Sequence, residues 1–420
     1  MPHVNRGRWL NWEPANDPEE AAGGAPKMEF ELWYLLSLPL LFAAGWLARG
    51  FESRVRETDN AALPRSYFRG LNHLLNDQPD KAIDAFIEVV KLDPETIELH
   101  QALGNLFRRR GEFDRAVRIH THLLNRADLP ARQRSHALDE LGQDYLKAGL
   151  LDRAEDAFVQ LLEDRHHRFD ALRALVRIYQ TEREWLKAVD CARQLEREAG
   201  ESRYVPISHY YCELASDALA RNALDEAQHA IDEALAANRK SIRALMLAGD
   251  IAAKRGEPDE ALRQWRRVED ASAEYVPLIA ARVADTMAAQ GRQQDALSWL
   301  ERALHDAPSI DLLDIVAHRA TAWRGATAAE ALIAKETQRH PSLLGFERLL
   351  EARMAINQNN GTDDGELRLL SSLLSNHTQK LARYRCKKCG FRAREFHWNC
   401  PGCTNWDSYP PRRVEELDVA

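Results

Sequence analysis

The sequence predicts an all-α protein: a solenoid of stacked helical hairpins, preceded by one membrane-length apolar segment and followed by a small cysteine-rich module. Three observations predict it. From Leu63 to about His340, alanines recur in register: Ala82, Ala116, Ala154, Ala188, Ala227, Ala261, Ala296 and Ala331 are separated by 34, 38, 34, 39, 34, 35 and 35 residues. Residues 32–48 run for seventeen positions without a charge. Four of the six cysteines lie between positions 386 and 403.

The repeat has internal structure. Gly70, Gly104 and Gly142 stand twelve residues before the first three alanines, and Phe86, His120, Phe158, Ile231, Trp265 and Leu300 stand four residues after theirs. Leu103 and Leu141 precede two of the glycines, and Phe107 and Tyr145 follow them by three. A small residue on each helix lets the pair approach closely, and the larger residue one turn on shares the alanine's face and fills the next gap. Gly111, Gly149, Gly256 and Gly291 sit where the first helix must stop, and glycine supplies the left-handed conformation that stops it. Pro94 and Pro308 close their units at one register. The wider spacings are assigned to longer loops, at residues 128–132 and 200–206. The units at Ala188 (with Val176 and Ala192) and Ala331 (with Arg319 and Lys335) fit least well. Residues 63–341 thus resemble the tetratricopeptide repeat, a helix-turn-helix unit of about 34 residues whose apolar stripe must be covered by a neighbour.

At 420 residues the chain is long for one compact core, a limit a linear solenoid escapes. A net charge of −8 argues against nucleic-acid binding by the whole chain, and a mean hydropathy of −0.50 makes most of it water-compatible. Cys191 and Cys212, isolated in helical segments, read as small buried apolar residues.

Residues 1–27 lack either periodicity and read as a disordered extension, with Met28 the expected natural start. Residues 28–49 read as a transmembrane anchor. The uncharged stretch spans ~26 Å as a helix, close to the ~30 Å hydrocarbon core. Trp33, Tyr34 and Trp46 stand at its ends, where interfacial aromatics belong. Arg49, Arg54 and Arg56 place the following chain on the cytoplasmic side. Residues 50–62 are a linker. Residues 342–382 are terminal helices: one to Asn357, a loop over residues 359–365, and one over Glu366–Ala382 with Leu367, Leu370, Leu374 and Leu381 on one face.

Residues 383–410 are of another kind. Cys386 and Cys389, then Cys400 and Cys403, form two CxxC knuckles that bring four thiolates around one tetrahedral ion. Gly390 and Gly402 allow the tight turns. Arg385, Lys387, Lys388, Arg392 and Arg394 offset the thiolate charge, and the basic run from Lys380 to Arg394 equally suits an acidic partner or lipid headgroups. The chemistry is that of a zinc ribbon or rubredoxin-like site holding one iron or zinc ion. Four cysteines leave no open coordination position, so the metal is structural. His397 reads as a packing or surface residue. Trp398 and Trp406 are expected to form the module's core or dock it on the last helix. Loss of metal is expected to unfold the module and leave most repeats intact, and residues 411–420 read as a tail.

No phosphate-binding loop, nucleophile elbow or zinc-protease motif occurs, and the chain reads as a non-enzyme. His120, His122, His166 and His167 read as solvated or helix-capping. An anchored solenoid without catalytic groups recruits partners in its groove; a membrane-anchored rubredoxin-like electron carrier is the alternative.

The stretch MEFELWYLLSLPLLFAAGWLARG, the units SYFRGLNHLLNDQPDKAIDAFIEVVKLDPET and ELHQALGNLFRRRGEFDRAVRIHTHLL, and CKKCG…CPGCT together resemble the lipopolysaccharide assembly protein B family of Gram-negative bacteria. The resemblance runs from Met28 to the C-terminus. It implies a single-pass inner-membrane scaffold whose bulk faces the cytoplasm. It implies that the scaffold helps a membrane-anchored ATP-dependent metalloprotease degrade the deacetylase that commits carbon to lipid A, and gathers other lipopolysaccharide synthesis proteins. It places iron or zinc on Cys386, Cys389, Cys400 and Cys403, with the ribbon packed on the repeats. A second copy of the chain is a further candidate partner.

Overall fold

Among the described residues eight helical hairpins stack in sequence order, because each exposes an apolar stripe that only the next can cover. The computed structural model describes residues 65–76, 78–92, 96–360 and 365–418. The extension, the anchor, the linker and Pro94 lie outside the described residues. Among those described, no helix is long and apolar enough to cross a membrane. The hairpins are α1/α2 (Arg65–Leu75, Pro79–Leu92), α3/α4 (Ile97–Arg110, Phe113–Leu124), α5/α6 (Ala131–Ala148, Leu151–Leu161) and α7/α8 (Arg168–Glu182, Trp185–Ala199). They continue as α9/α10 (Tyr204–Ala220, Leu224–Ala237), α11/α12 (Ile242–Arg255, Pro258–Ala271), α13/α14 (Ala280–Ala289, Gln293–Asp306) and α15/α16 (Ile310–Arg324, Ala326–Arg339). Two further helices, α17 (Leu343–Asn360) and α18 (Gly365–Leu381), follow.

The alanine register is a packing register. The seven alanines from Ala82 to Ala296 are all fully buried. Where the first helix carries glycine, the bulky residue of the second fills the notch: a Cβ on Gly70 would meet Phe86 at 2.9 Å, and one on Gly142 would meet Phe158 at 2.8 Å. Gly249 repeats this against Trp265, with a Cβ placed 2.3 Å from the indole nitrogen. The sequence register did not include that glycine, although it too precedes its alanine by twelve. In the unit at Ala188 the volumes are exchanged: Val176 takes the first position and buried Ala192 the second.

The eighth unit departs from the expected register. Ala331 and Lys335 are exposed, and Ala329 and Ile333 are the buried pair. The cause is the turn. One residue, Gly325, joins α15 to α16, whereas Gly111 and Glu112 join α3 to α4, so the second helix starts early and its small position moves with it.

The turn glycines behave as expected, Gly111 at φ +83° and Gly256 at φ +78°. Arg183 (φ +61°) and Asn222 (φ +59°) take the left-handed position in the α7/α8 and α9/α10 turns, which have no glycine. The wide spacings lengthen helices rather than loops alone: α5 has 18 residues and α9 has 17, against 14 in α3. A 3₁₀ segment, Ala273–Leu278, containing Pro277, separates α12 from α13. Asn359 and Asn360 belong to α17 rather than to a loop. On α18, Leu370 is 50% exposed, so it does not share the half-buried face of Leu367, Leu374 and Leu381.

His120 overturns its expected solvated role. It is fully buried, fills the notch over Gly104, and its Nδ1 lies 2.6 Å from Oδ2 of buried Asp144, which also accepts from Arg108 at 2.9 Å. Its position four residues after Ala116 carries the packing role; the polar ring is tolerated because Asp144 meets one nitrogen. His122 and His166 are exposed, and His167 lies 3.8 Å from Asp139. Cys191 and Cys212 are buried, and burial pushes their thiols up to about 11 and about 12.

Candidate metal centre

The C-terminal module is built from two copies of one turn. In the first, the Cys386 N–H donates to the Phe391 carbonyl (2.9 Å) and the Gly390 N–H to the Cys386 carbonyl (3.0 Å). In the second, the Cys400 N–H donates to the Asn405 carbonyl (2.9 Å) and the Thr404 N–H to the Cys400 carbonyl (2.8 Å). The antiparallel strands β1 (Tyr384–Arg385) and β2 (Arg392–Ala393) frame the first turn, and an Asn399–Trp406 bridge frames the second. Gly390 supplies the positive φ of the first knuckle (+75°), but in the second that role falls to Thr404 (φ +55°). Gly402 serves close approach instead, because a Cβ there would meet the Phe391 side chain at 3.1 Å.

These turns bring Cys386, Cys389, Cys400 and Cys403 together, with all four sulfurs within 4.8 Å of one another. The Cys386–Cys403 and Cys389–Cys400 sulfur separations are 3.8 and 3.6 Å. A tetrahedral ion with bonds of ~2.3 Å requires sulfurs ~3.8 Å apart; these two separations match that, and the donor set fits a divalent thiophilic ion. The Lys388 N–H points at Cys386 Sγ (3.4 Å) and the Asn405 side-chain amide at Cys403 Sγ (3.4 Å), which favours thiolate over thiol. Burial pushes Cys386 up, but hydrogen bonds from Ser408 and the backbone outweigh it and bring the thiol down to about 6. The donor set suits zinc and iron alike. Among the described residues, no other group of histidine, cysteine and carboxylate side chains converges in this way. His397 stands edge-on to Tyr409 and takes no part.

The module is strapped across the array. His209 of α9 stacks on Trp406, with ring centres 4.6 Å apart, and its Nε2 lies 2.8 Å from Asp407 Oδ1. Trp398 stacks on Tyr275 of the 3₁₀ segment at 5.8 Å. Both tryptophans therefore dock the module on the array, Trp406 against His209 and Tyr210 and Trp398 in the cluster that holds Tyr275 and Leu381, and the module's own small core is Tyr384, Cys386, Cys400 and Tyr409. At the start of α15, Asp311 accepts from the Tyr384 hydroxyl (2.6 Å) and from Arg413 (2.6 Å), whose guanidinium lies 4.1 Å above the Tyr384 ring.

The expected tail is a working part of this strap. Residues Val414–Asp418 form a short helix, α19. Glu416 accepts from the N–H of Ile310 (2.6 Å), and Glu415 from those of Leu343 (2.5 Å) and Leu344 (3.1 Å). One tail thus satisfies otherwise orphaned donors at the N-termini of α15 and α17, where negative charge is favoured. None of His209, Asp311, Arg413, Glu415 or Glu416 stood out in the sequence. The one hint was His209-Tyr210-Tyr211, three rings in a row where the repeat register asks for none.

The family described as a rubredoxin metal binding domain matches residues 384–410, and tetratricopeptide repeat families match residues 99–134 and 212–277. A solved tetratricopeptide repeat protein from Parabacteroides merdae overlays 70% of this chain and 98% of its own at a TM-score of 0.27 and 16% identity. The chain is 29% identical to lipopolysaccharide assembly protein B of Haemophilus influenzae over 92% of its length and 99% of that protein. It is 36% identical to lipopolysaccharide assembly protein B of Escherichia coli strain K12 over 91% of its length and 98% of that protein. Array and ribbon fall within that relationship together, and the chain belongs to the lipopolysaccharide assembly protein B family.

Proposed function

We propose that the chain is an inner-membrane scaffold that limits lipopolysaccharide synthesis. In this reading residues 28–49 anchor it, the array faces the cytoplasm, and its groove presents the lipid A committing deacetylase to a membrane-anchored ATP-dependent metalloprotease. Other synthesis enzymes gather on the same surface, and the chain itself performs no chemistry. The observation that supports the reading is kinship through array and ribbon alike with proteins named for lipopolysaccharide assembly. The geometry agrees with it: stacked hairpins give an extended recruiting surface. The four-thiolate site, iron or zinc, serves to hold the ribbon in shape.

Crosslinking of the intact protein in membranes, followed by mass identification of captured partners, tests this. Recovery of the protease and the deacetylase is expected. Efficient recovery of the chain with neither would overturn the adaptor role. A membrane-anchored electron carrier is the second reading, favoured by the exposure of Cys389 at the ribbon surface. Zinc in the purified protein would remove it, since zinc has no redox chemistry there.

A further inference from the structure

The last hairpins and the tail form an open pocket of about 300 Å³. Its apolar wall is Leu304, Pro308, Ile310 and Leu313, from α14, α15 and the turn between them. Its opposite wall is the end of α16 with Glu336 and Thr337, and the tail closes it with Arg412, Glu415 and Glu416. Most polar groups in these walls are already engaged. Glu415 and Glu416 hold the helix N-termini, and Arg412 faces Glu274 at 3.4 Å. Two atoms are not: Glu336 Oε1 and Thr337 Oγ1 are buried without a hydrogen-bond partner. Glu336 is only 8% exposed. The basic side chains near it, His340 Nε2 at 3.5 Å from Oε1 and Arg339 at 3.8 Å from Oε2, stand at ion-pair distance without making a hydrogen bond.

A buried carboxylate oxygen without a donor is costly, and a ligand that brings a donor recovers that cost. The carboxylate oxygen can only accept, which selects a donor over an anion, and the Thr337 hydroxyl can accept alongside it. The charges agree, since three carboxylates (Glu336, Glu415, Glu416) face two guanidiniums (Arg339, Arg412) in the lining. The apolar wall asks for a hydrocarbon stem below the donor. A lysine side chain combines the two, packing its methylenes while its ammonium meets a fixed acceptor.

We propose that this is a recognition pocket for a lysine side chain of a partner polypeptide, with Glu336 as its counter-ion and Thr337 as a second acceptor. The assignment does not depend on which pathway the scaffold serves. The tail supplies part of the wall, so the pocket is complete only when the ribbon is docked.

Ligand-observed saturation-transfer NMR on the full-length, metal-loaded chain tests it, with Nα-acetyl-lysine methylamide as the probe. A dissociation constant on the order of 1 mM is expected for so small a fragment. Its Nε-acetylated form, which has the same stem but no charge, should bind at least about tenfold more weakly, a difference of ~1.4 kcal/mol. Glu336→Gln, isosteric and checked for unchanged circular dichroism, should weaken the lysine probe by a similar factor and leave the acetylated probe alone. Thr337→Val should have a smaller effect in the same direction. Equal binding of the two probes, no transfer at about 10 mM, or unchanged binding in a folded Glu336→Gln protein would each overturn the assignment.

Discussion

At the scale of single residues, the array is held by volume matching across each hairpin. The largest partners (Phe86, His120, Phe158, Trp265) all face glycine, while Ile231 and Leu300 belong to units whose matching position is Ala215 or Ala284. A methyl group at Gly249 must displace the Trp265 ring, whose Nε1 also donates to the Met246 carbonyl at 3.1 Å. Gly249→Ala should therefore cost ~1–3 kcal/mol by overpacking, read as a lowered urea midpoint. Arg183 is the opposite case. It is exposed, non-glycine and left-handed, so Arg183→Gly should raise stability by up to about 1 kcal/mol. An unchanged or lowered midpoint would show that the turn carries no relievable strain. Ala82 to Ala296 were legible because one small residue per period is a repeated signal. Gly249 obeys the same rule. His120 was misread because a polar ring at a packing position depends on a partner, Asp144, that lies 24 residues away and in the next hairpin.

At the scale of elements, periodicity reports only neighbours, and that limits what it foretells. Hairpins, their order and the glycine-stopped turns follow from contacts within one period. The strap does not: His209 meets Asp407 across 198 residues, and no spacing announces such a pair. The ribbon's internal geometry was readable because two CxxC pairs demand it, whereas its docking rests on rings and carboxylates of ordinary type. Loss of the ribbon should therefore reach the hairpins it touches and spare the rest. Structural zinc contributes ~10–16 kcal/mol in small metal-dependent peptides, so a metal-free module of this size loses its fold. With it go the Asp311 contacts and the caps supplied by Glu415 and Glu416. Cys386→Ser should then speed hydrogen exchange at the amides of Ile310, Leu343 and Leu344, while α3 to α6 keep their protection. Glu415→Ala should reproduce the effect at Leu343 and Leu344 alone, each lost cap costing ~0.5–2 kcal/mol. Unchanged exchange at these amides in both variants would show that the tail contributes nothing to the array.

At the scale of the whole molecule, the ribbon bridges hairpins that a plain solenoid would leave free to flex, from α9 through the 3₁₀ segment and α15 to α17. The placement of those hairpins is thereby tied to the four-thiolate module. If residues 28–49 anchor the chain as proposed, Arg49, Arg54 and Arg56 set the array on the cytoplasmic side. A reporter fused at the C-terminus should then be active only if it is one that works in the cytoplasm, and an active periplasmic reporter would reverse the topology. The central claim is that a metal-held ribbon makes this scaffold competent to deliver the deacetylase for proteolysis. The half-life of the deacetylase in cells carrying each single cysteine-to-serine variant, with metal content measured on the same proteins, tests it most directly. Metal loss accompanied by a lengthened half-life and excess lipopolysaccharide is the predicted result. A metal-free variant that still shortens the half-life as the unaltered chain does would contradict it.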